Sequence, residues 1–133
     1  MSKELRFPNV NSVELSGRLT RDPELKHLQS GMAILNIDIA FNRNFKKGDN
    51  WEQSTSYIQI KLWGDKAEKM AQYLRKGSPI IAEGYLEQES WKNKENQTVS
   101  KMVLTAHKIH NLEKDSSENS GYQNQNQDED EQI

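Results

Sequence analysis

The chain has 133 residues, 33% of them hydrophobic and 29% charged, with no cysteine and a formal net charge of −2. That length supports one compact core and assigns any surplus to a tail or linker. No apolar run approaches the roughly 18 to 20 residues that cross a bilayer, and the first ten residues resemble neither a signal peptide nor an Arg-rich transit peptide. Without cysteine there are no disulfides, thiolate zinc sites or cysteine nucleophiles. The expectation is a cytoplasmic protein that makes no use of a membrane.

The charge is unevenly divided. Residues 1–112 hold 17 Lys or Arg against 13 Asp or Glu, a net of +4, while residues 113–133 hold one Lys against seven acids, a net of −6. A basic folded part joined to an acidic tail is an interaction pattern that an even spread of the same charges would not make. The stretch from Asp115 to Ile133, DSSENSGYQNQNQDEDEQI, contains one aromatic and one aliphatic residue. It buries too little surface to offset the entropy of ordering and is expected to be disordered. The expected organisation is therefore a folded domain over 1–112 and a disordered acidic tail over 113–133.

In chain order, Val13, Leu15, Gly17 and Leu19 alternate with Ser12, Glu14, Ser16, Arg18 and Thr20, the period of a half-buried strand. The run RDPELKHLQSG follows as punctuation, with Pro23 and Gly31. AILNIDIAF then alternates again, with Leu35, Ile37, Ile39 and Phe41 on one face. The polar, basic stretch NRNFKKGDNWEQS, containing Gly48, Asp49 and Asn50, reads as a long hairpin loop with no buried face. In STSYIQIKLWG a third strand sets Ile58, Ile60 and Leu62 toward a core and Tyr57, Gln59, Lys61 and Trp63 away from it.

After Gly64, DKAEKMAQYLRKG predicts a short helix, with Asp65 as N-cap, Glu68 three residues on and Gly77 just past the end. Ala67, Met70, Ala71 and Leu74 form its apolar stripe. The fourth strand, after Pro79, places Ile80, Ala82, Gly84 and Leu86 on one side. Ile81, Glu83, Tyr85, Glu87, Glu89 and Trp91 lie on the other. A turn over KNKENQ leads to a fifth strand near Val99 to Ile109, with Met102, Leu104 and Ala106 as the expected inward set. Five strands with a single helix between the third and fourth is the element order of the OB-fold, an all-β Greek-key barrel that serves oligonucleotide and oligosaccharide binding.

The chemistry is concentrated on the polar strand faces. Tyr57 and Trp63 share one with Gln59 and Lys61. Turning the rings inward would bury the Lys61 charge and expose Ile58, Ile60 and Leu62, because a one-residue slip inverts every side chain. Trp91 ends the polar face of the fourth strand, and Phe45 and Trp51 lie in the basic stretch, so aromatic rings interleave with Lys46, Lys47, Lys61 and Lys92. Exposed rings beside cations suit an unpaired nucleic-acid strand, whose bases present flat faces and whose phosphates form a regular line.

Over residues 8–112 the chain resembles the bacterial single-stranded DNA-binding protein family. The likeness is carried by NSVELSGRLTRDPELKHLQSGMAILNIDIAFNRNF, with its G-x-L-x-x-D-P element at Gly17, Leu19, Asp22 and Pro23. It is carried also by KLWGDKAEKMAQYLRKGSPIIAEGYL, with its YLRKG and EG pieces. The resemblance implies that Phe45, Tyr57, Trp63 and Trp91 match base-stacking aromatics, Phe45 standing where Trp is frequent. It further implies that Lys26, Lys46, Arg75 and Lys76 fall at or near phosphate-contacting positions. Glu87, Glu89 and Ser90 occupy a stretch that is commonly basic in the family.

The resemblance also implies a homotetramer, and an acidic tip that docks replication and repair proteins. Here that tip comprises Asp128, Glu129, Asp130, Glu131 and Ile133, in the ending DEDEQI, without the family's usual Pro-Phe. Read by itself, the tail is a self-repelling, solubilising extension. An enzyme would have to be built from His27, His107 and His110 and scattered carboxylates, and no nucleophile, metal or phosphate-loop spacing organises them. No cofactor or metal is expected. The rival reading is another OB-fold module, of primosome or cold-shock type.

Overall fold

The computed structural model describes residues 4–113; of the expected tail only Glu113 is among them, and the acidic tip lies outside the described residues. Six strands and one helix follow in the order β1 (Val13–Leu19), β2 (Glu24–His27), β3 (Ala33–Lys47), β4 (Asn50–Trp63), α1 (Asp65–Ala71), β5 (Pro79–Lys92) and β6 (Thr98–Asn111). Five of them close a barrel in the order β1, β5, β6, β4, β3, with β1 meeting β3 at Arg18 opposite Ala40 and Leu19 opposite Ile39. All neighbours are antiparallel except β4 and β6.

In β3, β4 and the start of β5 the fully buried residues are those the alternation marks. Leu35, Ile37, Ile39, Ile60, Leu62, Ile80, Ala82, Leu104 and Ile109 are fully buried in one cluster, each Leu or Ile contributing about 1.5–3 kcal/mol. The helix closes one end of this core with Ala67 and Met70, and Leu74 extends the stripe past the last helical residue. It can do so because the Leu74 N–H still bonds to the Met70 carbonyl at 3.0 Å.

Several expected boundaries shift, each for a local reason. RDPELKHLQSG contains the strand β2, which lies beyond the closed barrel and pairs with the edge of β3 that β1 also uses. All four β2 residues are exposed, so no alternation marks the strand. The stretch expected as a long loop is the paired arm of the β3–β4 hairpin, in register to Lys47 opposite Asn50. Its loop is only Gly48 and Asp49. Gly48, at φ 64°, occupies the first central position, where a two-residue loop needs positive φ. The arm extends past the core, so its side chains carry no burial pattern.

Asp65 is the first helical residue and not the N-cap; Gly64 takes that position at φ 81°, with no side-chain cap. The helix stops at Ala71, so Gly77 lies well beyond its end rather than just past it. In β6, Met102 is 51% exposed and does not point into the core. The core does not extend that far along the hairpin, and a bulge opposite Glu83 and Gly84 resets the alternation from Leu104 and Ala106 to Ile109. At that bulge a Cβ on Gly84 would stand 2.0 Å from the Thr105 carbonyl oxygen. Only glycine permits so close a backbone approach.

Candidate nucleic-acid interface

The outer face of the β3–β4–β6–β5 sheet is assembled by register. Tyr57 lies opposite Ala40, Gln59 between Asp38 and Val103, Lys61 between Asn36 and Thr105, and Trp63 opposite Ile34. On β5, Tyr85, Glu87 and Glu89 lie opposite Thr105, Val103 and Lys101, and Trp91 opposite Val99. The face therefore carries aromatic rings along two strands with β6 between them. Tyr57 is 71% exposed, Trp63 42% and Trp91 45%. Ala40 is too short to cover the neighbouring Tyr57 ring, which leaves it open for stacking.

The face has an electrostatic pattern that strand alternation does not supply. Lys61 is ion-paired with Glu89 across β6, and the Thr105 hydroxyl donates to Glu87 Oε1 at 2.7 Å. Val103, on the strand between them, is buried although it belongs to the outer face. At the flanks, Lys101 Nζ lies 5.9 Å from the centre of the Trp91 ring, a cation–π distance. Arg21 Nε pairs with Asp38 at 3.2 Å. Lower on β5, His110 Nε2 and Glu83 Oε2 are 2.8 Å apart. The Glu83 carboxyl is held below its usual range, chiefly by that hydrogen bond and further by the charges of His110, Lys108 and His107, against an opposing contribution from burial.

The sequence-predicted residues divide among distinct places. Lys26 pairs with Ile34, which in turn pairs with Trp63, so a cation from β2 shares a row with the ring. Trp51 and Lys46 are opposite each other on the β3–β4 arm and, by unbroken alternation, share the face of Tyr57. Phe45 and Lys47 fall on the other face of that arm, where the Arg43 guanidinium lies 5.0 Å from the Phe45 ring centre. Lys92 is the last residue of β5, beside the turn at 93–97, in which Asn93 Oδ1 accepts from the Glu95 and Gln97 N–H groups at 2.9 Å.

Arg75 and Lys76 lie in the connection from α1 to β5. Arg75 is ion-paired with Glu113 at 2.6 Å, and the Lys76 N–H donates to Asp22 Oδ1 at 2.8 Å. The Asp22 of the D-P element and the RKG piece thus hold each other. Sequence reasoning did not single out Arg21, Arg43 or Lys101. Arg43 stands two residues from Phe45 and was legible once the stretch is recognised as a strand. Lys101 and Arg21 join the face only through strand register and a chain corner.

Among the described residues no group of three or more His, Asp or Glu side chains could hold a metal ion, and no helix is long and apolar enough to cross a membrane. The relatives agree with the barrel. The single-strand binding protein family model matches residues 10–112. A single-stranded DNA-binding protein of Treponema pallidum is 43% identical over 98 residues, which are 74% of this chain and 55% of that protein. Among solved structures, a deletion mutant of the single-stranded DNA binding protein from Thermus aquaticus superposes with a TM-score of 0.70 at 30% identity, covering 78% of this chain and 51% of that one. A Plasmodium falciparum SSB complex with ssDNA shares the fold, with a TM-score of 0.72 at 19% identity, covering 82% of this chain and all of that one. The chain spans little more than half the length of the first two relatives. With a closed barrel whose outer face keeps its rings exposed, and a family match spanning nearly all of the described residues, the chain belongs to the single-strand binding protein family.

Proposed function

We propose that this protein binds single-stranded DNA without sequence preference, stacking bases on exposed rings and neutralising phosphates with the surrounding cations. The observation that carries the reading is the outer sheet face. Tyr57, Trp63 and Trp91 are exposed there beside Lys26, Lys46 and Lys101, while the aliphatic residues of the same strands fill the barrel. Every base has a π-face, so stacking worth about 1–3 kcal/mol per base tolerates any sequence; that scale was set on proteins of this class. The relatives' names point the same way.

In this reading the protein is a binding protein and not an enzyme. It coats single strands exposed during replication, recombination and repair in the cytoplasm, and acts as a homotetramer. The barrel over 1–112 carries the DNA site. The acidic tail follows the barrel, and its Asp128, Glu129, Asp130, Glu131 and Ile133 dock replication and repair proteins.

Competition among labelled single-stranded DNA, RNA and duplex of equal length tests the reading. A preference for the first is expected, with little dependence on base composition. Equal or stronger RNA binding would favour a cold-shock-like module, and binding of none would remove the function altogether. Light scattering of the same sample measures the assembly.

A further inference from the structure

We propose that Arg21, Tyr57 and Lys101 form a nucleotide subsite, with one base on the Tyr57 ring and its adjoining phosphates between the two cations. The proposal rests on the single-strand reading and adds to it two cations that neither the sequence pattern nor the family likeness singles out. A concavity of about 490 Å³ is walled by Arg21, Asp38, Tyr57, Gln59 and Lys101 together with Ile58 and Met102 from the barrel side of the same strands. That volume lies within the roughly 300–1,000 Å³ of small-molecule sites.

Each group has a distinct task. Tyr57 presents its ring, uncovered by the short Ala40 opposite. Arg21 is oriented by Asp38 through Nε, one of five guanidinium donors, so the others are available to a phosphate in the forked geometry that guanidinium favours. Among the described residues no carboxylate pairs with Lys101; its ammonium lies over the Trp91 ring. Gln59 offers an amide that both donates and accepts, and so meets the edge of any base.

The centre of the face directs phosphates toward this flank. Glu89 holds Lys61 and Glu87 holds the Thr105 hydroxyl, so a phosphate line crossing there would meet two carboxylates and a cation already neutralised. Arg21 and Lys101 stand beside that line.

The test is a salt titration of the full chain with a labelled oligothymidylate, comparing wild type, Arg21→Gln, Lys101→Gln, Tyr57→Ala and the control Lys69→Gln. Lys69 is exposed in the last turn of α1, and its substitution changes the net charge equally. Arg21→Gln and Lys101→Gln are each expected to flatten the slope of log affinity against log salt by about 0.7, the value for one neutralised phosphate on a single strand. Lys69→Gln is expected to leave the slope unchanged. If neither subsite substitution moves the slope while Tyr57→Ala still weakens binding, the subsite is wrong and the single-strand reading stands. Equal flattening by Lys69→Gln overturns the subsite as a general effect of charge. A wild type that binds no single strand overturns both.

Discussion

Lys61 of β4 and Glu89 of β5 form an ion pair that spans the intervening β6 and covers Val103 at the middle of the outer sheet face. Lys61 is therefore engaged before any phosphate arrives, and a strand bound across this line must displace Glu89 or pass to one side.

Glu89→Gln should release Lys61. In salt titrations with single-stranded DNA the variant is expected to bind more tightly than wild type, with a slope steeper by up to about 0.7 for one additional neutralised phosphate. Lys61→Gln should weaken binding by leaving Glu89 uncompensated beside the bound strand. An unchanged affinity in both variants would place the DNA path away from this pair.

Replacing Tyr57, Trp63 or Trp91 with Ala should leave the thermal midpoint near that of wild type and weaken single-strand binding, each by about 1–3 kcal/mol. Ile60→Ala should do the reverse, destabilising the barrel by about 2–5 kcal/mol through loss of a fully buried side chain. Anisotropy and thermal melting of the same four variants separate the two effects. Unfolding by the aromatic substitutions would contradict the assignment of faces.

Glu113 is bonded to the folded part, accepting from Arg75 at 2.6 Å and from the buried Ser78 hydroxyl at 3.2 Å. A chain ending at Glu113 should melt as the full chain does. One ending at Leu112 should lose about 1 kcal/mol, the scale of a hydrogen bond at a partly buried site. Residues 114–133 carry six acids against one Lys. Their removal should tighten DNA binding slightly at low salt, by an amount that shrinks as screening grows, and should abolish pull-down of replication and repair proteins.

Glu83 supplies a pH dependence. Its carboxyl is held below the usual range in the folded state, first by the hydrogen bond with His110. A depressed carboxylate contributes stability above its unfolded-state pKa and loses it as pH falls through the folded-state value. Wild type should therefore melt above Glu83→Gln at neutral pH, and the gap should close on acidification below the ordinary carboxylate range. A gap independent of pH would show that ionisation of Glu83 is not its source.

The sequence by itself determined the five barrel strands and the side of β3 and β4 that faces water, but not the faces of β6, where the bulge intervenes. Period-two alternation against an aliphatic core leaves no second register for Leu35, Ile37 and Ile39 or for Ile60 and Leu62, and that same constraint turns Tyr57 and Trp63 outward. It did not determine the elements outside the core. β2 and the β3–β4 arm are stabilised by backbone pairing rather than by burial, so their side chains bear no period, and the arm reads as a loop. Only the tertiary structure decided which charges meet. The pairing of Lys61 with Glu89, the hold of Asp22 on the Lys76 amide, the return of Arg21 to Asp38 and the place of Lys101 over Trp91 all join residues on different elements or connections. The closed strand order and the β6 bulge set those neighbours, and no local pattern encodes a contact whose partner lies on another strand.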